Sequence, residues 1–81
     1  MRRSILFLAS ALLLAGPALA DDAADCAAGI DMIKAEIGKK PAAEVLDKLK
    51  EALKDAEREA NEKEYDECFE AIDDAKEAIA G

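Results

Sequence analysis

The residues most able to do chemistry lie near the C-terminus, in EYDECFEAIDDAKEAI, residues 64–79. This segment carries seven carboxylates and one lysine. In a helix, at 100° per residue, four of the acids fall within about 60° of one another. Neighbours at this spacing can contact the same ion, and oxygen-only, highly negative surfaces suit Ca²⁺ or a lanthanide. The predicted metal ligands are Asp66, Glu70, Asp73 and Glu77.

The same pattern also has a simpler interpretation, in which the acids are the solvated face of a helix that packs on its other side. The chain has no D-x-D-x-D-G loop of the EF-hand type, which would be far more specific for calcium. Four carboxylates on a convex helix also leave a coordination shell incomplete. Water, a neighbouring helix or a second molecule would have to complete it, so both interpretations stay open.

Catalytic residue types are nearly absent from residue 21 onward. That part of the chain contains no serine, threonine or histidine, so a Ser-His or Cys-His nucleophile cannot be built. It has no glycine-rich phosphate loop. Carboxylates on an exposed helix lack the desolvation that raises a pKa for acid catalysis. We therefore expect a protein that is not an enzyme and has no organic cofactor.

Residues 1–20 have the pattern of a cleaved secretory signal peptide. A basic start at Arg2 and Arg3 precedes an apolar stretch, and the segment ends in the A-x-A pattern of signal peptidase at Ala18 and Ala20. The stretch is too short for a transmembrane anchor, so no membrane insertion is expected. The pattern predicts a periplasmic protein, with a secreted one as the alternative.

The charge balance narrows the class of partner. Without Arg2 and Arg3, nine basic residues stand against nineteen acidic ones, a net charge of −10 over residues 21–81. A polyanion is repelled by nucleic acid and by anionic lipid. A hard metal cation or a basic protein is the better candidate.

Two cysteines, Cys26 and Cys68, are predicted to form a disulfide. Cysteines of exported proteins usually pair, and closing a loop of roughly 40 residues stabilises the fold by about 4 kcal/mol. A metal-binding or redox-active pair is the alternative. The chain has no C-x-x-C motif and no histidine to favour it.

Three segments with helical periodicity predict the fold of residues 21–81. They cover about 22–37, 41–61 and 64–79, with Gly38 as a C-terminal cap, Pro41 in a first turn and Ile79 on an inward stripe. In an up-down-up bundle the first and third helices are parallel. Cys26 and Cys68 then lie at the same height. We therefore predict an all-α, up-down-up three-helix bundle stapled by one disulfide.

The outer face of the first helix carries little charge and is a candidate interface. A flat surface of small residues with one methionine can accept a partner helix or a second copy in a homodimer. Alanine is also the default filler of an exposed helix. The residues of this face are Ala24, Ala28, Met32 and Ala35.

Size, export, acidity and the stretch DECFEAIDDAKEAI resemble the small periplasmic lanthanide-binding proteins of methylotrophic bacteria. The resemblance implies metal trafficking or uptake, with a surface site that a second protomer could complete. The better-known proteins of that system use EF-hand loops, and this chain has none. The predicted function is thus binding of a lanthanide or Ca²⁺ by carboxylates of the third helix. The alternative is a small helical interaction module with neither a metal nor an enzymatic role.

Overall fold

The structure is a computed structural model that describes residues 21–81. A first helix, α1, runs through residues 21–38, followed by α2 over Ala43–Asn61 and α3 over Tyr65–Ala80. No strand occurs in this described part of the chain. The predicted all-α, three-helix bundle is therefore confirmed. The predicted signal peptide, residues 1–20, lies outside the described residues.

Contacts between the helices define the up-down-up arrangement. An exposed ion pair between Lys34 of α1 and Glu57 of α2, with 3.6 Å between Nζ and Oε2, shows that these two helices are neighbours. The predicted disulfide between Cys26 and Cys68 is present, with the two Cα atoms 6.1 Å apart. Both cysteines lie early in their helices, so the bridge joins α1 and α3 in parallel and at equal height.

The core is thin and rich in small side chains. Its largest fully buried residues are Ile33, Leu49 and the two bridged cysteines. Where α2 meets α3 the buried residues are mostly alanines, which let two helices approach closely. These alanines are Ala52, Ala56, Ala71 and Ala75.

A glycine lets α1 and α3 approach closely. A Cβ built on Gly29 would overlap the Ile72 side chain, with Cγ1 at 2.8 Å and Cγ2 at 3.2 Å. Real Cβ atoms do not come within 3.0 Å of another heavy atom, so any larger residue here would push the helices apart. The interior is close-packed, and Gly29 is part of how that packing is reached.

The connection between α1 and α2 differs from its prediction. Gly38 is not the left-handed cap but the last residue of α1, and Lys40 has the positive φ, 56°. Pro41 lies outside α2, which begins at Ala43 with Ala42 as its extended N-cap residue. Pro41 disfavours right-handed helical backbone at Lys40 and offers no N–H of its own, and the N–H of Lys40 closes the end of α1 on the carbonyl of Ile37 at 3.1 Å. The turn therefore falls at Lys40.

The connection between α2 and α3 is a Schellman motif. Lys63, with φ 60°, donates its backbone N–H to the carbonyl of Ala60 at 3.0 Å. The N–H of Glu64 bonds to the carbonyl of Glu59 at 2.9 Å. These two bonds satisfy the last carbonyls of α2. A lysine occupies the left-handed position that glycine usually takes.

The inward stripe of α3 ends differently from the prediction. Ile79 was expected to face inward, but it is 41% exposed. The buried line runs through Cys68, Ala71 and Ala75 and continues to the partly buried Ala78. Ile79 lies one residue, about 100°, further round the helix. It therefore faces out of the last turn.

Candidate functional site

The four predicted metal ligands are all exposed on α3 but do not share one environment. Glu70 faces α2, whereas Asp73 borders a groove against α1. Asp66 and Glu77 line neither feature and lie in the first and the last turns of α3. The four residues thus spread over a convex surface instead of surrounding one point.

The densest group of carboxylates lies where α2 and α3 face each other. A shallow hollow of about 130 Å³ opens there, and we call it the acidic cleft. Two of its carboxylates belong to α2 and three to α3, with a single arginine among them. Its lining residues are Asp55, Arg58, Glu59, Glu67, Glu70, Ala71 and Asp74.

The arginine of the acidic cleft is already engaged by α2. Arg58 donates hydrogen bonds to Asp55 at 3.1 Å and to Glu59 at 3.2 Å. The bond to Glu59, followed by that to Asp55, raises the pKa of the guanidinium above its usual value. These bonds hold Arg58 to the α2 carboxylates, and the carboxylates of α3 have no such partner within residues 21–81.

Repulsion among the carboxylates appears in the protonation of Glu67. Its pKa is raised, first by the neighbouring charge of Glu70 and next by Glu59 from across the acidic cleft, with a smaller contribution from burial. Like charges within a few ångströms disfavour the ionised form. The cleft therefore carries negative charge that its own helices do not neutralise.

The acidic cleft does not present a preformed metal site. In the part of the chain that the structure describes, no three acidic or cysteine side chains converge closely enough to hold a metal ion. Each helix is convex, so its carboxylates diverge from one another as they leave the backbone. A cation here would need side-chain rotation and water to complete its ligands.

Sequence reasoning missed the contribution of α2 to this surface. The helical pattern of α3 identified Glu70, but Asp55 and Glu59 lie on α2, before the turn that joins the two helices. The predicted antiparallel order of α2 and α3 could have revealed this contribution, because it brings the end of α2 beside the start of α3. Glu67 and Asp74 also lie nearer this side than Asp73 and Glu77 do.

The candidate interface of α1 is divided by the structure. Ala28 and Met32 line an open groove of about 530 Å³ between α1 and α3, which we call the apolar groove. Ala24 and Ala35 are exposed but lie outside it. The groove takes its remaining apolar floor from Gly29, Phe69 and Ile72, and its rim is Asp25, Asp73 and Lys76.

The disulfide and the polarity of the helices give information about the cellular compartment of the protein. Both cysteines are bonded to each other and buried, which fits an oxidising compartment. Among the described residues, every helix is too short or too polar to cross a membrane.

Comparison with known proteins adds no relative to this picture. The resemblance to lanthanide-binding proteins therefore stays a prediction. Searches against protein-family models, curated proteins and solved structures find no match to this chain.

Proposed function

We propose that the protein acts in the periplasm as a binding protein for a hard cation, Ca²⁺ or a lanthanide, at the acidic surface of α3. One observation carries the proposal. None of the four ion pairs within residues 21–81 involves α3, although α3 holds six acids and one lysine. Its net charge of −5, against −4 for α1 and −2 for α2, is therefore the largest of the three helices and has no ion pair to offset it.

A cation would relieve a repulsion that the fold itself creates. Glu59, Glu67 and Glu70 approach the same region from two helices, and the charges of Glu70 and Glu59 raise the pKa of Glu67. A multivalent ion exchanges this repulsion for attraction, and it does so most strongly where carboxylates are closest. We therefore place the centre of binding at the acidic cleft. This choice moves it away from the C-terminal half of the predicted set, Asp73 and Glu77.

The exposed ligands also limit the kind of binding. Glutamate side chains on a helix surface rotate freely, so bringing two or three together costs side-chain entropy. Water must supply the remaining ligands of Ca²⁺ or a lanthanide. We expect an exchangeable ion held at micromolar affinity, which suits buffering or delivery better than permanent retention.

Terbium luminescence tests the proposal on the disulfide-bonded protein. Tyr65 is the only tyrosine and the chain has no tryptophan, so emission excited through the protein reports Tb³⁺ near the start of α3. We expect saturable emission that La³⁺ displaces. Glu67→Gln should weaken the affinity about tenfold, since one carboxylate beside a trivalent ion contributes at least about 1.4 kcal/mol even in water.

Glu77→Gln is the matched control, because it removes the same charge from the same helix outside the acidic cleft. We expect it to change the Tb³⁺ affinity less than threefold. Equal losses in the two variants would mean that the cation does not prefer the cleft. Emission that rises without saturating, and that neither variant alters, would overturn the cation function.

A further inference from the structure

The apolar groove is a second surface, separate from the acidic cleft. Only residues of α1 and α3 line it, and its floor is apolar along its whole length. Two large side chains of its lining, Met32 and Phe69, are only partly buried. Apolar surface gathered in a groove and rimmed by charge is typical of an interaction site.

The packing of α1 on α3 accounts for the shape of this groove. Gly29 has no side chain and the exposed Ala28 has only a methyl group, so open space remains above the contact between the two helices. Ile72 fills the space beneath Gly29 and closes the floor from below. Met32 and Phe69 form higher walls, and methionine adapts its shape to different ligands.

The dimensions of the groove suit a helix. Its floor spans from Ala28 to Met32 on α1 and from Phe69 to Ile72 on α3, which at 1.5 Å per residue is about 5–6 Å, with the rim residues extending it to about 10 Å. This length accepts two or three side chains from one face of a helix, at positions i, i+3 or i+4, and i+7.

Charge decides between a second copy and a different partner. The described domain has a net charge of −10, and two of the three charged rim residues, Asp25 and Asp73, are acidic. A second copy would bring the same charges against these carboxylates, and like-charge juxtaposition disfavours association. A helix with basic residues flanking its apolar face instead meets opposite charge at both positions.

We propose that the apolar groove binds the apolar face of a basic amphipathic helix from another protein. Asp25 and Asp73 pair with basic residues that border the bound face. The proposal concerns α1 and α3 only and does not depend on a cation in the acidic cleft.

A synthetic peptide tests this proposal. The probe is an 18-residue amidated helix of leucine and lysine with all leucines on one face, titrated calorimetrically into the disulfide-bonded protein in buffer without multivalent cations. A peptide of equal composition with the leucines scattered controls for simple attraction between opposite charges. We expect micromolar binding of the amphipathic peptide and at least tenfold weaker binding of the scattered one.

Two alanine substitutions on α1 locate the binding. Ala28→Gln places a polar side chain on the floor of the groove, whereas Ala35→Gln does the same on the exposed surface outside it. Both positions are exposed, and glutamine is a good helix former, so both variants should fold. We expect Ala28→Gln to weaken peptide binding at least fivefold and Ala35→Gln to leave it within twofold of the unaltered protein.

Three results would overturn the proposal. The first is equal binding of the two peptides, which would reduce the interaction to charge. The second is unaltered binding by Ala28→Gln, which would place the peptide elsewhere. The third is self-association of the protein in sedimentation that Ala28→Gln abolishes, which would make a second copy the occupant of the groove.

Discussion

The two sides of α3 are built on different principles. Towards α2, alanines bring the helices close, and charged residues from both helices crowd around the acidic cleft. Towards α1, the disulfide and Gly29 bring the helices together, and the outer surface is an apolar groove. One helix thus presents an electrostatic surface on one side and an apolar surface on the other.

The difference shows how a domain of 61 residues can hold two unlike surfaces. A chain this short buries too little apolar area to stabilise itself easily. The covalent bridge between Cys26 and Cys68 compensates, so Met32 and Phe69 can pack at the edge of the core and stay only partly buried. Likewise, α3 can keep carboxylates that repel one another.

The largest expected effect comes from breaking the bridge on the α1 side. Reduction of the disulfide should lower the free energy of unfolding by about 4 kcal/mol, which for a domain of this size is roughly 15–30 °C in Tm. Thermal unfolding with and without reductant measures it. The Cys26→Ala/Cys68→Ala double variant, which has no bridge to reduce, is the control. If the unaltered protein had the same Tm with and without reductant, packing alone would hold α1 to α3.

A smaller effect is expected from filling the contact between α1 and α3. Gly29→Ala forces a Cβ against Ile72, at a cost of about 1–3 kcal/mol for overpacking. Part of this cost is offset by the better helix propensity of alanine, up to about 1 kcal/mol. We expect a net loss of about 1 kcal/mol in urea unfolding.

Gly38→Ala is the matched control for that substitution. Gly38 is also helical, and a Cβ there meets nothing within 4 Å. It should therefore stabilise the protein by about 0.5–1 kcal/mol through helix propensity alone. If Gly29→Ala stabilised the protein equally, the close approach of α1 and α3 would not need glycine.

The smallest effect concerns the α2 side and depends on pH. The pKa of Glu67 is raised in the folded protein by Glu70 and Glu59, so over the pH range between its unfolded and its higher folded pKa the folded state binds more protons at this group than the unfolded state does. The charge of Glu67 then lowers stability as pH rises through that window. Glu67→Gln should raise Tm slightly at pH 7.

That gain should shrink as the pH is lowered and Glu67 takes up its proton, and also in high salt, which screens exposed charges. Thermal unfolding at pH 4 and pH 7, at low and high ionic strength, checks both trends. Glu44→Gln in the first turn of α2 removes an equal charge outside the acidic cleft and is the control. A pH-independent gain would show that Glu67 acts through packing and not through repulsion.

Much of the fold was predictable because its signals are local. Helical periodicity located all three helices, and two cysteines behind a predicted export signal led to the disulfide that the structure contains. The helix ends were harder to place. Gly38 and Pro41 have strong average preferences, yet α1 continues through Gly38 and the residue with positive φ is Lys40, where Pro41 disfavours a further helical residue.

The surfaces were less predictable, because they are made by pairs of helices. The helical periodicity of α3 placed Glu70 and Asp73 on one face, but in the structure Glu70 borders α2 and Asp73 borders α1. The face of α1 grouped Ala28 and Met32 with Ala24 and Ala35, and only the first two line the apolar groove. The residue pattern of one helix does not predict which neighbouring helix lies beside each of its residues.

The sequence by itself thus determined the helical class, the number of helices, the bridge between the cysteines and the surplus of negative charge. These follow from periodicity, composition and spacing along one chain. Only the tertiary structure decided that Glu59 of α2 stands opposite Glu67 and that Gly29 lies against Ile72. Such contacts depend on how far each helix is rotated about its axis, and that rotation is set by side chains packing across the interface.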